Sequence, residues 1–173
     1  MKLKSYRTVS LLSCMGKVVE KLVADLLSDE AQRRAPISDR QFCSSKKRSA
    51  IDAAAIMVDT VYSALKEDNI TGVLLMDIMA AFQSVARRRQ MHAMKAKQID
   101  GDLIEWTERF LSDRTAEMII EGNVLHSHPM EAGIPQGSPV SPILFAINTT
   151  GLITLVEEKF KPKASPSWTT LDG

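Results

Sequence analysis

Two places in the chain combine residue types that do chemistry with a spacing that gives them a setting. The first is Asp77, which closes the apolar run Gly72-Val73-Leu74-Leu75-Met76 and is followed, after Ile78, Met79 and two alanines, by Phe82. An acid at the end of a buried strand is costly unless it is paired or binds a metal. On a rigid strand it is suited to holding Mg²⁺ against a triphosphate. A flat aromatic side chain five residues on is suited to walling off a sugar 2′-hydroxyl. The plain alternatives are a turn or helix-cap role for Asp77 and ordinary core for Phe82. The second place is Gly133-Ile134-Pro135-Gln136-Gly137-Ser138-Pro139. Its paired glycines and prolines fix an unusual backbone path. Glycine allows close approach of main chain to a ligand, and Gln136 offers both donor and acceptor groups. Ser138-Pro139 reads as a helix start with proline in the first turn. A structural turn and cap is the plain alternative.

The elements that must position these residues follow from hydrophobic spacing. In 11–34, Met15, Val18, Val19, Leu22, Val23 and Leu26 recur at helical intervals, with Ser13 as a cap and Pro36 beyond the end. Residues 35–48 are polar and read as a loop. In 49–66, Ile51, Ala54, Ala55, Val58, Tyr62 and Leu65 share one helical face. Asn69 to Gly72 is a turn signal, and Gly72–Asp77 reads as a buried strand. Helices are expected over 86–97 and 101–112, broken at Asp100-Gly101. Runs 114–121 and 124–131 flank Gly122-Asn123, a hairpin signal. A last helix is expected over 140–159, with Val140, Ile143, Leu144, Ile147, Leu152, Leu155 and Val156 apolar. The order gives an α+β chain, helix-rich with a short antiparallel sheet. After that the composition changes: KPKASPSWTTLDG is rich in Pro, Ser and Thr, without periodicity, and reads as disordered.

Composition narrows the classes. With 173 residues and 45% hydrophobic content, one domain with a real core is expected. A formal net charge of +1 gives no global support for nucleic-acid binding. Short basic clusters are present at Arg33-Arg34, Lys46-Lys47-Arg48 and Arg87-Arg88-Arg89, each also readable as a solvated face. Cys14 and Cys43 form no CxxC pair, which argues against a disulfide framework or zinc site and for a reduced, intracellular compartment. His92, His126 and His128 lack metalloprotease spacing. The N-terminal MKLKSYRTVS has no signal-type apolar region, and Val73–Met76 is far too short to span a bilayer, so no membrane association is expected.

Four blocks, in order, resemble those of non-LTR (LINE-type) retrotransposon reverse transcriptases. Tyr6-Arg7-Thr8-Val9-Ser10-Leu11-Leu12-Ser13 is similar to an opening YRPISLLS block. Gln41-Phe42 with Arg48-Ser49-Ala50 resembles QFGFR…RSA. Leu74-Leu75-Met76-Asp77-Ile78 through Ala81-Phe82 resembles the first catalytic-aspartate block. Gly133–Pro142 followed by Ile143-Leu144-Phe145 resembles G-x-PQGSPLSP-x-LF, the most specific of the four. The resemblance spans about residues 5–159. It implies a partial right-hand polymerase, with fingers over 1–70, the first half of the palm over 71–160, and a tail over 161–173 outside the family. It implies DNA synthesis on an RNA template from a DNA primer and dNTPs. Asp77 would bind Mg²⁺, Phe82 would gate the sugar, Arg48 would contact nucleotide or template, and Pro135, Gln136, Gly137 and Ser138 would contact the incoming nucleotide and template.

The departures matter as much. Thr8 replaces the family's proline, Cys43 a glycine, and Ser45 stands where an arginine is usual; Met79 and Gln83 also depart from the pattern. The F/Y-x-DD block, which supplies the partner carboxylates, has no counterpart, since the chain holds no adjacent Asp-Asp pair. One carboxylate is too few for two ions. The expectation is therefore a catalytically inactive fragment, with a retained RNA- or DNA-binding module as the alternative. The tail suggests a cause. Codons for Leu-Ser-Phe-Val-Asp-Asp, read one nucleotide out of frame, give Ser-Pro-Ser-Trp-Thr-Thr, the string at Ser165–Thr170. The coding DNA for these residues should therefore show a Phe-Val-Asp-Asp motif in the alternate frame; if none is there, the frameshift explanation is wrong.

Overall fold

The computed structural model describes residues 10–34, 41–42, 48–75, 77–120 and 122–159, with the side chains of Ile120 and Glu157 left aside. The opening block before Ser10, Cys43, Ser45, the Lys46-Lys47 pair, Met76 and the 161–173 tail lie outside the described residues. Among the described residues, five helices and two short strand pairs follow in order: α1 (Cys14–Arg34), α2 (Ala50–Lys66), α3 (Arg87–Ala96), α4 (Gly101–Leu111), β1 (Thr115–Ala116), β2 (Ile119–Ile120), β3 (Asn123–Val124), β4 (His128–Pro129) and α5 (Ser141–Lys159).

Capping chemistry sets the helix limits. Ahead of α2 the Ser49 hydroxyl accepts the Asp52 N–H, while the Asp52 carboxylate accepts the Ser49 N–H at 2.7 Å. This is a reciprocal capping box. The Ser49 hydroxyl first, and then its N–H, hold the Asp52 carboxyl below its ordinary range. Asp100 caps α4 through the Asp102 N–H at 2.9 Å. Helices α2 and α3 both stop on non-glycine residues in the left-handed region, Asp68 (φ 55) and Gln98 (φ 55). The next amides turn back to Ala64 O and Met94 O, which satisfies carbonyls a helix end leaves open.

Helix α5 is the hub. It packs on α3 and α1, and α3 packs on α4. Leu27, Met94, Leu144 and Ile147 are fully buried there, joined by Val140, Ile143 and Ile134. Each fully buried aliphatic side chain contributes about 1.5–3 kcal/mol by leaving water. The buried face of α1 is Glu20, Val23, Ala24, Leu27, Glu30 and Ala31, a clean i, i+3, i+4, i+7 stripe. It is not the face with the larger apolar residues: Met15, Val18, Val19, Leu22 and Leu26 are exposed. Its two buried acids are compensated, Glu20 by the Ser138 hydroxyl and Glu30 by Arg34 at 2.5 Å. The amphipathic face expected of α2 is real in sequence, yet none of its residues is buried.

The expected hairpin is present. Ile119 pairs with Val124 and Ile120 with Asn123 around Gly122 (φ 80), while Thr115 pairs with Pro129 and Ala116 with His128. The register slips by one residue between the two pairs, with three residues (125–127) facing two (117–118), so the second strand carries a bulge.

The buried strand expected over Gly72–Asp77 is not formed. The described residues of this segment are irregular, and Val73, Leu74 and Leu75 are 54%, 79% and 81% exposed. A strand needs a neighbour for its backbone hydrogen bonds. The only pairings among the described residues lie within 115–129. The helix expected from Ser138-Pro139 starts three residues later: 138–140 form a turn, and Pro142 takes the first-turn position. No helix among the described residues is long and apolar enough to cross a membrane.

These assignments predict opposite costs for two leucines. Leu27→Ala should lose roughly 2–5 kcal/mol. Leu74→Glu should change stability by less than about 0.5 kcal/mol. Chemical denaturation of the two variants measures both, and a large loss for Leu74→Glu would return that segment to the core.

Candidate functional site

The GIPQGSP segment is held by main-chain bonds from both sides. The Gly133 N–H donates to Val85 O and the Ile134 N–H to Phe82 O, each at 2.9 Å, and Gln136 O accepts the Ser10 N–H at 2.9 Å. Pro135 O accepts the Ser141 hydroxyl at 2.7 Å and the Ser138 N–H at 3.2 Å. Both glycines are required. Gly133 has φ +89, and a Cβ there would sit 3.0 Å from Gln83 Cα and 3.2 Å from Gln83 O. Gly137 has φ +112, and a Cβ there would lie 3.1 Å from Ser10 O. Side chains rarely adopt such φ values, and here neighbouring backbone occupies the space as well.

Two of the candidate regions therefore meet. Phe82 lies in the turn 79–84, which carries Ala80 at φ 52. Its ring is half-buried and tilted against Phe145 of α5, with centroids 5.4 Å apart, so the aromatic wall rests on the core. Pro135 and Ser138 are buried, Gln136 is half-buried and Gly137 exposed. The Ser138 hydroxyl donates to the Glu20 carboxylate and accepts the Val140 N–H at 3.2 Å. Asp77 is exposed, at the end of the irregular segment. Arg48 precedes the α2 cap, its guanidinium 5.4 Å from the Phe42 ring centroid, a cation–π distance.

Residues given no role in the sequence analysis complete the frame. Arg114 Nη1 donates to Gly133 O at 3.0 Å. Burial pushes its guanidinium pKa down, and the Glu20 charge opposes that shift. Gln41 is buried: its amide donates to Ala146 O at 3.3 Å, and its oxygen accepts the Thr150 hydroxyl at 3.4 Å. For Glu20 a signal was available, an acid inside an apolar helical stripe. For Arg114, at the exit of α4, nothing in the local pattern marks it. An open groove of about 660 Å³ lies between α3 and α5, lined in part by Arg89, His92, Lys97, Thr154 and Glu158, and it includes none of the loop residues. Burial pushes the Lys97 ammonium pKa down.

As a metal centre the arrangement falls short. Among the described residues no group of three or more His, Cys, Asp or Glu side chains is placed to hold an ion. Asp77 brings a single carboxylate, and a two-ion site takes several oxygen ligands.

The chain as a whole is similar to known proteins. Residues 2–168 match the family model described as "Reverse transcriptase (RNA-dependent DNA polymerase)". The chain is 26% identical over 149 residues to "Probable RNA-directed DNA polymerase from transposon BS" of Drosophila melanogaster, covering 86% of the chain and 16% of that protein. It is 28% identical over 150 residues to "RNA-directed DNA polymerase from mobile element jockey" of Drosophila funebris, with 86% and 16% covered. Over 93 residues it is 29% identical to "Retrovirus-related Pol polyprotein from type-1 retrotransposable element R2" of Popillia japonica, covering 54% of the chain and 15% of that protein. The chain thus spans about a sixth of the length of these relatives.

The close approach at Gly133 gives a test. Gly133→Ala should destabilise the protein by about 1–3 kcal/mol. Gly151→Ala, inside α5 with nothing within 4 Å, should be neutral or gain roughly 0.5–1 kcal/mol. Thermal or denaturant melts of the pair distinguish a strained loop position from a general intolerance of added methyl groups.

Proposed function

The chain belongs to the reverse transcriptase family, its relatives being polymerases of non-LTR retrotransposons, and from that premise we propose that it carries the nucleotide- and template-facing loop of such a polymerase but does not by itself synthesise DNA. In this reading Gln136 and Gly137 face the incoming nucleotide and RNA template. Phe82 stands beside them as the sugar gate, and Arg48 serves from the start of α2. Residues 1–70 act as fingers and 71–160 as a partial palm. Pro135 and Ser138 support the loop from within, because Pro135 O and the Ser138 hydroxyl are already bonded.

The observation that carries the non-catalytic reading is the poverty of the carboxylate set. Joining a primer 3′-oxygen to a dNTP through divalent ions requires a cluster of acidic ligands. Asp77 is the one acid the family pattern assigns here; it is exposed, and no metal-holding cluster is present among the described residues. The residues present do not fit a two-ion Mg²⁺ centre, so no catalytic step is assigned to them.

A second reading, binding of RNA or DNA without catalysis, rests on a different observation. The loop is held rigidly and leaves Gly137 exposed, and α3 opens with Arg87, Arg88 and Arg89, all exposed. Phosphate contacts of that kind weaken steeply with salt.

Primer extension separates the two from an active polymerase. With an RNA template, an annealed DNA primer, dNTPs and Mg²⁺, the purified chain and its Asp77→Ala variant should both leave the primer unextended. Extension by the chain that disappears in Asp77→Ala would overturn the non-catalytic reading. Salt-sensitive retention of the hybrid without extension would support the second.

A further inference from the structure

We propose that Glu20 and Arg114 are positioning residues that set the geometry of the 133–138 loop from beneath, and so act on nucleic acid through Gln136 and Gly137 without touching it. The inference rests on the reading of that loop as the template- and nucleotide-facing surface.

The two residues come from distant parts of the chain and hold opposite ends of one loop. Glu20 opens the buried face of α1, 7% exposed, and its carboxylate receives the Ser138 hydroxyl. That hydroxyl in turn accepts the Val140 N–H just before α5. Arg114 leaves α4 toward β1 and donates to Gly133 O at 3.0 Å. A buried carboxylate is tolerated only with partners, and the Glu20 carboxylate has the Ser138 hydroxyl, while its charge favours the charged guanidinium of Arg114. The loop's two ends, Gly133 and Ser138, are thus each held by one of these side chains. From Ile134 to Gln136 each residue is already bonded at the main chain: Ile134 to Phe82, Pro135 to Ser141, Gln136 to Ser10. The residues left facing outward are the half-buried Gln136 and the exposed Gly137. Releasing either end frees the loop to move by a distance that a surface contact does not tolerate.

The test uses the full chain and a fluorescently labelled RNA–DNA hybrid, together with amide hydrogen exchange over 133–140. Glu20→Ala and Ser138→Ala should each raise exchange at Ile134, Gly137 and Val140 by about tenfold, the loss expected for one charge-assisted hydrogen bond. Each should weaken hybrid binding about as far as Gln136→Ala does. Adding Gln136→Ala to Glu20→Ala should bring no further loss, because both act through one surface. Glu20→Gln, which can still accept the Ser138 hydroxyl, should recover most of the affinity. A purely structural role would instead give losses that add in full to that of Gln136→Ala and would show no recovery in Glu20→Gln; that result, or unchanged loop exchange in Ser138→Ala, overturns the proposal. Should Glu20→Ala fail to fold, Ser138→Ala removes the same bond by deleting one oxygen and decides the outcome. If the unaltered chain does not bind the hybrid, the binding reading of the loop fails separately, and the exchange measurements still decide whether Glu20 and Ser138 hold it.

Discussion

Main chain meeting main chain at Gly133 is the contact from which the rest of the arrangement is built. Hydrogen in place of a Cβ lets this residue come against the Gln83 backbone, and that proximity allows the paired bonds from Gly133 to Val85 and from Ile134 to Phe82. Those bonds join the segment after Asp77 to the segment before α5. Phe145 can then reach Phe82, Ser141 can cap Pro135, and Glu20 can receive Ser138. A side chain at position 133 would press on the Gln83 backbone, at a φ that already disfavours one, and strain the joint at its origin.

The distribution of apolar surface is uneven in a way that a closed domain would not choose. The core around α5 is tightly filled, yet α1 turns five large apolar residues outward, α2 buries nothing, and Val73–Leu75 stand exposed. Exposed apolar groups scattered singly are ordinary, but continuous faces mark surfaces that are covered in use or that promote aggregation. The unpaired state of 73–75 has the same character. An extended apolar segment without a neighbouring strand is a template for pairing, and the described residues offer it none.

Legibility followed the range of the interaction. All five helices lie within a few residues of their expected limits, because capping and periodicity are local: Ser49 with Asp52, Asp100 with Asp102, and turns after Ala64 and Met94. The hairpin was equally legible from Gly122-Asn123, although its bulge was not. What failed depended on distant partners. The Gly72–Asp77 segment has strand composition, but pairing decides whether a strand forms. On α1 two apolar stripes lie side by side, and size pointed to the wrong one. The buried stripe holds two glutamates, acceptable only because Ser138 and Arg34 meet them, and nothing local to α1 announces the Ser138 contact. For the site, the meeting of Phe82 with the GIPQGSP loop was implied by the family resemblance, whereas Glu20, Arg114 and the docking of Gln41 on α5 emerged only in three dimensions.

Holding a loop and holding a metal ion make different demands on a chain, and in the non-catalytic reading proposed above this chain meets only the first. The loop needs a few glycines, a serine and one buried acid, and each of its bonds is closed by residues between Ser10 and Ser141. A two-ion centre needs several carboxylates brought to one point from separate segments, each fixed on a rigid element. Asp77 meets neither condition: it is exposed, and the segment carrying it lacks the pairing that would make it rigid. In that reading positioning stands without chemistry, since the first is satisfied by closure within the described residues and the second only by assembly of further carboxylates.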